Sequence, residues 1–349
     1  MLKVVYIVTS DANRPCGVAD YTAQLAHSLV QCGVDAVVEN LPTWSFGNVL
    51  RLIRRYRAND DVIFHIQYPS LGMGASPAAG MLPWLAARRS VFVTLHEFEL
   101  FNPVRKAFFL PFSLTGNVVF TNDHERARFT KFYPWATEAA VIPVGNNIGR
   151  PQDRFEDADR RRLVYFGQIA PWKGIEEFLD TVQLLRDSGV AIGCAIVGAD
   201  LDPASEISRK VAAAAADLAI ERLYDLSARD VSRELSRSMI ALLPFPGGVS
   251  DKRGSALACL AHGLAVVTRH SELTPAWWRK TTYSSDGASD SARTVERLLS
   301  GELGRTPDPV ALEQALAERE WSSIAQAHIA TYQRAGATAD ASGRSRRPA

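Results

Sequence analysis

The sequence predicts an α/β protein built from two successive doubly wound, Rossmann-like domains. Short apolar runs of strand length alternate with longer stretches of helical periodicity, the rhythm of a parallel sheet with crossover helices. That rhythm breaks in the polar stretch after Ala139–Gly145 and then restarts. The 349 residues allow two domains of roughly 100–200 residues, each able to bury its own core.

The elements follow in order. Val4–Thr9 is a run of strand formers bounded by the polar stretch Ser10–Pro15. A helix is expected from Val18 to Cys32, because Val18, Tyr21, Leu25 and Leu29 recur at helical spacing, with Gly33 as its C-cap. Asp61–Ile66, Val91–Leu95 and Val118–Thr121 each have the length of a buried strand. The segment AVIPVGNNIGRPQDRFEDADRRR then passes from a strand into a charged Pro/Gly stretch, the composition of an interdomain linker.

In the second half, strands are expected at Leu163–Phe166, Ala191–Val197, Met239–Phe245 and Leu264–Thr268. Helices are expected from Gly174, over Ser205–Leu218, after Ser227 with Asp230 completing a cap, and over Arg253–His262. Trp321, Ile324, His328 and Tyr332 share one face of a last helix, and the small, polar residues after Gly336 are expected to be disordered.

Composition removes several functions. Lys and Arg number 39 against 38 Asp and Glu, a net charge of +1, which excludes a protein that holds nucleic acid through bulk positive charge. The cysteines, Cys16, Cys32, Cys194 and Cys259, are scattered. They fit neither a disulfide scaffold nor a zinc module, and a reduced, cytoplasmic setting is expected. No apolar run reaches the roughly 18 residues of a membrane helix. Met1-Leu2-Lys3 opens a strand and lacks the features of a signal peptide. P-loop, HExxH and G-x-S-x-G motifs are missing, and Gly72-Met73-Gly74 lacks the third glycine of a dinucleotide fingerprint.

Three strand-to-helix junctions could hold an anion. In Asn13-Arg14-Pro15-Cys16-Gly17-Val18, Gly17 would let the backbone approach a ligand beside a helix start; the alternative is a glycine needed only for a tight turn. In Gly167-Gln168-Ile169-Ala170-Pro171-Trp172-Lys173-Gly174, a lysine opens a helix against the helix dipole, a conflict that a bound anion resolves and a solvated side chain merely tolerates. In Pro246–Ser255, the neighbours Lys252 and Arg253 precede Gly254 and Ser255 at the start of an apolar helix. Arg253 would bring a planar fork for two phosphate oxygens; a basic surface turn is the alternative.

These segments, in this order, resemble the retaining nucleotide-sugar glycosyltransferases of family 4, which have the GT-B fold. PCGVADYTAQLA resembles the family's glycine loop and first helix, AVIPVGNNI its IPNG-type strand end, and VYFGQIAPWKGIEEFL its donor-phosphate motif. AIVGAD and ACLAHGLAVVT match as well, so the resemblance runs from Met1 to about Tyr332.

The resemblance implies two domains facing each other across a cleft. Residues 1–149 with 321–336 would form the acceptor side, residues 150–320 would hold the nucleotide sugar, and 337–349 would be a tail. It implies transfer with retention at the anomeric carbon, without a metal ion or other cofactor, from a nucleoside-diphosphate sugar to a carbohydrate or lipid-linked acceptor. Polysaccharide or glycolipid assembly in the cytoplasm, or at the inner face of the membrane, is the setting it implies.

The carry-over is residue by residue. Lys173 matches the family's lysine, but Gln168 stands where the family has an arginine. The paired glutamates fall on Ser250 and Ala258, so both carboxylates are missing. Arg253, with Lys252, is expected to supply the missing cation. The donor site would then comprise Gly17, Gly167, Gln168, Lys173, Ser250, Lys252, Arg253, Gly254 and Ser255.

His96, ending a strand in VTLHE, matches the family's sugar-contacting histidine. His96, Lys173 and Arg253 are the expected catalytic residues. His65, Glu97 and Asn122 are the acceptor-side candidates, with His124 beside Asn122; Glu97 has the chemistry of a base, which a retaining enzyme of this type does not require.

Two further stretches, Asn48–Arg57 and Phe98–Phe112, mix aromatic and apolar residues with Arg and Lys. They fit contact with an anionic lipid surface, or a solvated helix face and a buried aromatic loop. Rival functions on the same fold are a sugar-nucleotide epimerase, a phosphorylase and a non-catalytic binding subunit, the last on account of Gln168 and the missing glutamates. The charge is unevenly spread: net +2 in residues 1–149, −4 in 150–320 and +3 in 321–349. Anion binding in the acidic middle must therefore come from a few placed groups.

Overall fold

The computed structural model describes residues 2–10, 16–59, 61–74, 76–86, 89–136, 139–151, 153 and 161–344, the last nine as backbone only. Asn13-Arg14-Pro15, most of the expected linker after Gln152, and residues 345–349 lie outside the described residues. The chain divides into two compact units, Met1–Gly145 with Glu318–Ala349, and Asn146–Ala317.

In the first unit the chain runs β1 (Lys3–Val8), α1 (Gly17–Gln31), β2 (Asp35–Asn40), α2 (Phe46–Arg55), β3 (Val62–Tyr68), α3 (Ala78–Leu85) and β4 (Val91–Leu95). It continues through α4 (Pro103–Ala107), α5 (Leu110–Thr115), β5 (Val118–Phe120), α6 (Asp123–Phe132) and β6 (Ala140–Val141). The six strands pair in the order β2-β1-β3-β4-β5-β6, in parallel throughout. All seven residues of β3 and all five of β4 are buried, as strands covered on both faces must be.

One face of this sheet packs Val5, Ile7, Phe64, Ile66 and Val93 against the α2, α3, α5 and α6 side. The other packs Val4, Tyr6, Ile63 and Phe92 against α1. The rings of Phe98, Phe101, Phe109 and Phe112 lie in the first of these cores. The Phe98–Phe112 rings are therefore mainly core, and Asn48–Arg57 holds a helix, α2, whose arginines face solvent.

The second unit runs β7 (Arg162–Gln168), α7 (Ile175–Asp187), β8 (Gly193–Ala199), α8 (Glu206–Asp217), β9 (Ile220–Tyr224), α9 (Ala228–Ser236) and β10 (Ile240–Leu243). After these come α10 (Gly254–Ala261), β11 (Ala265–Thr268), α11 (Ala276–Thr281), β12 (Tyr283–Ser284), α12 (Ala288–Leu299) and α13 (Pro309–Glu318). Its parallel sheet has the order β12-β11-β10-β7-β8-β9. From β7 the chain winds outward through β8 and β9, then returns to β10 and winds the other way. β7 and β10 therefore flank the switch point, outside whose carboxyl ends open α/β sheets bind ligands. The Gly167–Gly174 and Pro246–Ser255 segments follow these two strands, so the topology brings the two expected donor motifs together.

Local chemistry sets the helix starts. Ser45, Asn102, Ser205 and Ser227 each accept a backbone N–H with a side-chain oxygen at a helix N-terminus, and the Ser227 hydroxyl donates to Asp230 Oδ2 (2.6 Å).

The last helix, α14 (Trp321–Arg344), packs Ile324, Ala325 and Tyr332 against the α1 face of the first sheet. It corrects the expected tail in part: helical backbone continues through residues 337–344.

Candidate functional site

In the second unit, β7 delivers Gly167 and then Gln168, whose side chain is exposed. A 3-10 turn, Pro171–Lys173, follows, and Gly174 precedes α7 with φ +80°. Lys173 thus sits just ahead of the helix rather than in its first turn. A Cβ at Gly174 would collide with the Pro244 carbonyl, so this glycine lets the loop after β7 close on the end of β10.

Tyr165, buried in β7, donates its hydroxyl hydrogen to the Lys173 carbonyl (3.2 Å). The same hydroxyl lies 3.4 Å from the Gln168 carbonyl. It fixes the loop from below.

From β10, the loop through Gly248 turns with Arg253 N–H donating to the Ser250 carbonyl (3.0 Å). Arg253 is the N-cap residue of α10 and makes no side-chain cap, which leaves the first amides of Gly254 and Ser255 without helical partners. Its guanidinium stacks on the Phe245 ring at 4.5 Å, while its Nε is buried with no partner.

Burial holds the Lys173 ammonium below the usual lysine range, and the Arg253 charge pushes it further down. Burial also lowers Arg253. Among the described residues no carboxylate forms an ion pair with either. Two half-buried cations, near enough for the Arg253 charge to act on Lys173 and with no acid paired to either, make a site that an anion could complete.

The remaining donor-side residues divide. Ser250 and Ser255 are half-buried, and Gly254 and Lys252 are exposed. Ala258, at the second glutamate position of the resemblance, is wholly buried in the core, so that position offers no contact. Asp251, next to Ser250, accepts from the Trp277 indole (2.7 Å).

In the first unit, His96 extends β4 by one residue, its N–H donating to the Tyr68 carbonyl (2.8 Å). Its Nε2 donates to Gln67 Oε1 (2.9 Å), which fixes the tautomer and leaves Nδ1 as the acceptor. Gln67 is wholly buried, and its own Nε2 has no partner. Glu97 follows His96, half-buried.

Two sequence expectations need correction here. His65 is wholly buried, with Nδ1 bonded to Tyr332 (2.6 Å) and Nε2 to Thr94 (2.8 Å). Both nitrogens are used inside the core, and it has no surface to offer an acceptor. Asn122 caps α6, its Oδ1 accepting from Glu125 N–H (2.9 Å), and His124 pairs with Glu99 (2.8 Å). A Cβ at Gly17 would meet nothing within 4 Å, so the space beside the start of α1 is open.

The sequence did not announce Tyr165, Phe245 or Gln67. Nor did it show that His65 belongs to a buried seam under α14: Tyr332 also bonds Tyr6 (2.6 Å), and His328 Nε2 lies 3.4 Å from the Tyr21 hydroxyl. Burial pushes His65 well below the usual histidine range, with His328 and His96 adding to the shift. Burial, and then His96, push His328 down to about 3. The only signal was polar residues in otherwise apolar strands.

No protein-family model matches the chain. Over 183 residues it is 30% identical to a GDP-mannose:glycolipid 4-beta-D-mannosyltransferase of Xanthomonas campestris pv. campestris, a match spanning 49% of this chain and 48% of that protein. The chain thus matches about half the length of this curated relative.

Solved structures align over nearly the whole chain. A glycosyltransferase from Rickettsia africae ESF-5 superposes with a TM-score of 0.69 at 13% identity, covering 95% of this chain and 98% of the other. Anabaena HepE, solved with UDP and glucose, gives 0.66 at 12% identity, covering 96% and 100%. The sucrose-phosphate synthase of Thermosynechococcus elongatus gives 0.65 at 15% identity, covering 97% and 100%. With its two six-stranded parallel sheets, the chain shares the GT-B type of fold with these proteins.

Proposed function

We propose that the protein is a glycosyltransferase that moves a sugar from a nucleoside-diphosphate sugar to a carbohydrate or lipid-linked acceptor. The observation that carries this reading is the unpaired cation pair Lys173 and Arg253 at the switch point of the second sheet. In such a transfer the bond from the anomeric carbon to the diphosphate breaks, and negative charge grows on the departing oxygen. Preorganised cations and helix-start amides stabilise that charge more in the transition state than in the ground state. Lys173, Arg253 and the amides of Gly254 and Ser255 take that part, in a metal-independent reaction.

His96, held by Gln67, would face the sugar as it leaves. The relative named as a GDP-mannose:glycolipid 4-beta-D-mannosyltransferase makes GDP-mannose the first donor to try, and UDP-sugars the second, after the HepE complex. Polysaccharide or glycolipid assembly at the inner face of the membrane is the setting this reading supports. No helix among the described residues is long and apolar enough to cross a membrane.

Retention is the stereochemistry that the family resemblance implies. A second reading is favoured by the β-configured product in that relative's name. An α-linked donor that gives a β product inverts, and inversion needs a base to take the acceptor's proton. Glu97, next to His96, has that chemistry. Incubating the protein with GDP-[14C]mannose, UDP-[14C]glucose and a membrane-lipid extract tests the function. Label is expected in the lipid or glycan fraction, and the anomeric coupling constant of the product separates retention from inversion. An isomerised donor without acceptor points to an epimerase. A nucleotide that binds without turnover points to a binding subunit.

A further inference from the structure

The connector between β11 and α11, residues 269–275, belongs to neither cation-bearing loop, yet it holds both. Val249 N–H donates to the Arg269 carbonyl (2.9 Å). The buried Thr274 hydroxyl donates to the Val249 carbonyl (2.9 Å) and accepts the Ser271 N–H (2.9 Å). A Cβ at Gly248 would lie 2.6 Å from Ser271 Oγ, so the loop after β10 and the connector leave no room between them.

The Arg269 side chain reaches the other loop. It donates to Glu177 Oε2 (3.0 Å), in the first turn of α7, just after Lys173 and Gly174. Arg269 thus joins the segment that carries Lys173 to the segment that carries Arg253. Arg279 on α11 donates to the Thr274 carbonyl (3.1 Å) and to the Ser271 carbonyl, which ties the connector to its helix.

The start of α11 also takes up a carboxylate. Asp251 stands two residues before Arg253, and two cations without an acid attract a negative charge so near in the chain. Asp251 Oδ1 instead accepts the Trp277 indole N–H (2.7 Å). Trp277 lies against the buried Trp278, ring centroids 4.0 Å apart, so the indole that holds Asp251 has a fixed place.

We propose that Thr274 and Trp277 are positioning residues for the cation pair. Thr274 sets the loop that presents Arg253, and Trp277 keeps the Asp251 carboxylate off the Arg253 guanidinium. A carboxylate paired there would compete with an anionic ligand for the same charge. That the ligand is a nucleoside diphosphate rests on the transferase reading; the positioning itself does not.

The test therefore uses the full chain and begins without ligand. The Arg253 Nε–H is buried, and its guanidinium stacks on Phe245. Its NMR signal is expected to be ring-shifted and slow to exchange, and Arg253→Lys identifies it by its loss. Trp277→Phe keeps an aromatic ring against Trp278 and removes the N–H. It should move the signal, and Asp251→Asn added to it should bring the signal back. Thr274→Val should also move the signal, whereas Thr274→Ser, which keeps the hydroxyl, should not. In calorimetry Trp277→Phe should bind GDP or UDP about tenfold more weakly at an unchanged melting temperature, and Trp277→Phe/Asp251→Asn should regain wild-type affinity.

An unmoved Arg253 signal in Trp277→Phe overturns the proposal, a result that stands even where Thr274→Val fails to fold. So does a signal that stays displaced in Trp277→Phe/Asp251→Asn, because the Asp251 charge would then not be what Trp277 controls. A shift in Thr274→Ser as large as in Thr274→Val overturns the role of the Thr274 hydroxyl. A wild type that binds neither GDP nor UDP, with the signal responding as expected, would support the positioning and indict the transferase reading alone.

Discussion

Lys173 and Arg253 repel each other across a half-buried site, and each stays charged at neutral pH at some cost to the unliganded fold. Removing one charge should therefore leave the free protein as stable or more so, while an anion loses a charge-assisted bond worth about 1.5–3 kcal/mol. Lys173→Met is expected to keep or raise Tm without ligand and to weaken GDP or UDP binding roughly 10–100-fold in calorimetry.

The sign of the pH effect follows from the same shift. In the proposed donor site the lowered lysine would bind the diphosphate in its protonated form, so affinity should fall as pH rises through a value below the ordinary lysine pKa. Flat affinity across that alkaline range would contradict the role given to Lys173.

Gln67 acts on His96 alone, through the tautomer. Gln67→Leu also removes the unpartnered buried amide, so the fold should persist while kcat drops roughly tenfold or more. Gln67→Glu should raise the His96 pKa, read by NMR titration.

Lys173 and Arg253 were legible in the sequence because each is a cation in a glycine-bearing loop that joins a strand to a helix start. Gln67, Tyr165 and Phe245 were not, because what they do depends on a neighbour 8 to 29 residues away in sequence.

At the level of elements, the buried strands β1, β3, β4, β7, β8, β10 and β11 all show in the sequence as continuous apolar runs. The strands with no such run, β2, β9 and β12, are edge strands of the two sheets. An edge strand has one partner and a partly solvated surface, so DAVVEN and IERLY mix charge with apolar residues. The helix cap at Ser227 was readable because one side chain sets it locally.

The contact of Gly174 with Pro244 makes a sharp prediction about the loop after β7. Gly174→Ala meets both a left-handed φ and the Pro244 carbonyl, and should cost about 1–3 kcal/mol of stability, seen as a lower denaturation midpoint.

The seam beneath α14 predicts acid sensitivity. His65 and His328 are neutral in the fold and protonate in the unfolded chain near pH 6.5. The unfolded state binds more protons below that pH, so stability is intact above about pH 6.5 and declines as pH falls toward about 3, by up to roughly 1.4 kcal/mol per pH unit for each histidine. His328→Leu should flatten that acid limb in a series of melting curves. An unchanged slope would mean that His328 takes up no proton on unfolding.

At the scale of the whole molecule, an unremarkable composition and a net charge of +1 hide a division of labour. The unit with the cation pair is the acidic part of the chain, so a donor would be held by placed groups and not by a general field. The other unit carries His96 and the buried histidine seam. The two-sheet fold is shared with a glycosyltransferase at 13% identity and with HepE at 12%, far below what fixes a substrate, and function must therefore be read from the site.

The measurement that tests the central claim most directly is transfer of radiolabelled sugar from a nucleoside-diphosphate sugar to an extractable acceptor, with the wild type and Arg253→Ala side by side. The account predicts labelled acceptor and released nucleoside diphosphate with the wild type, and a drop of about tenfold or more with Arg253→Ala. Equal transfer by both proteins, or no transfer and no nucleotide binding by the wild type across GDP- and UDP-sugars, would contradict it.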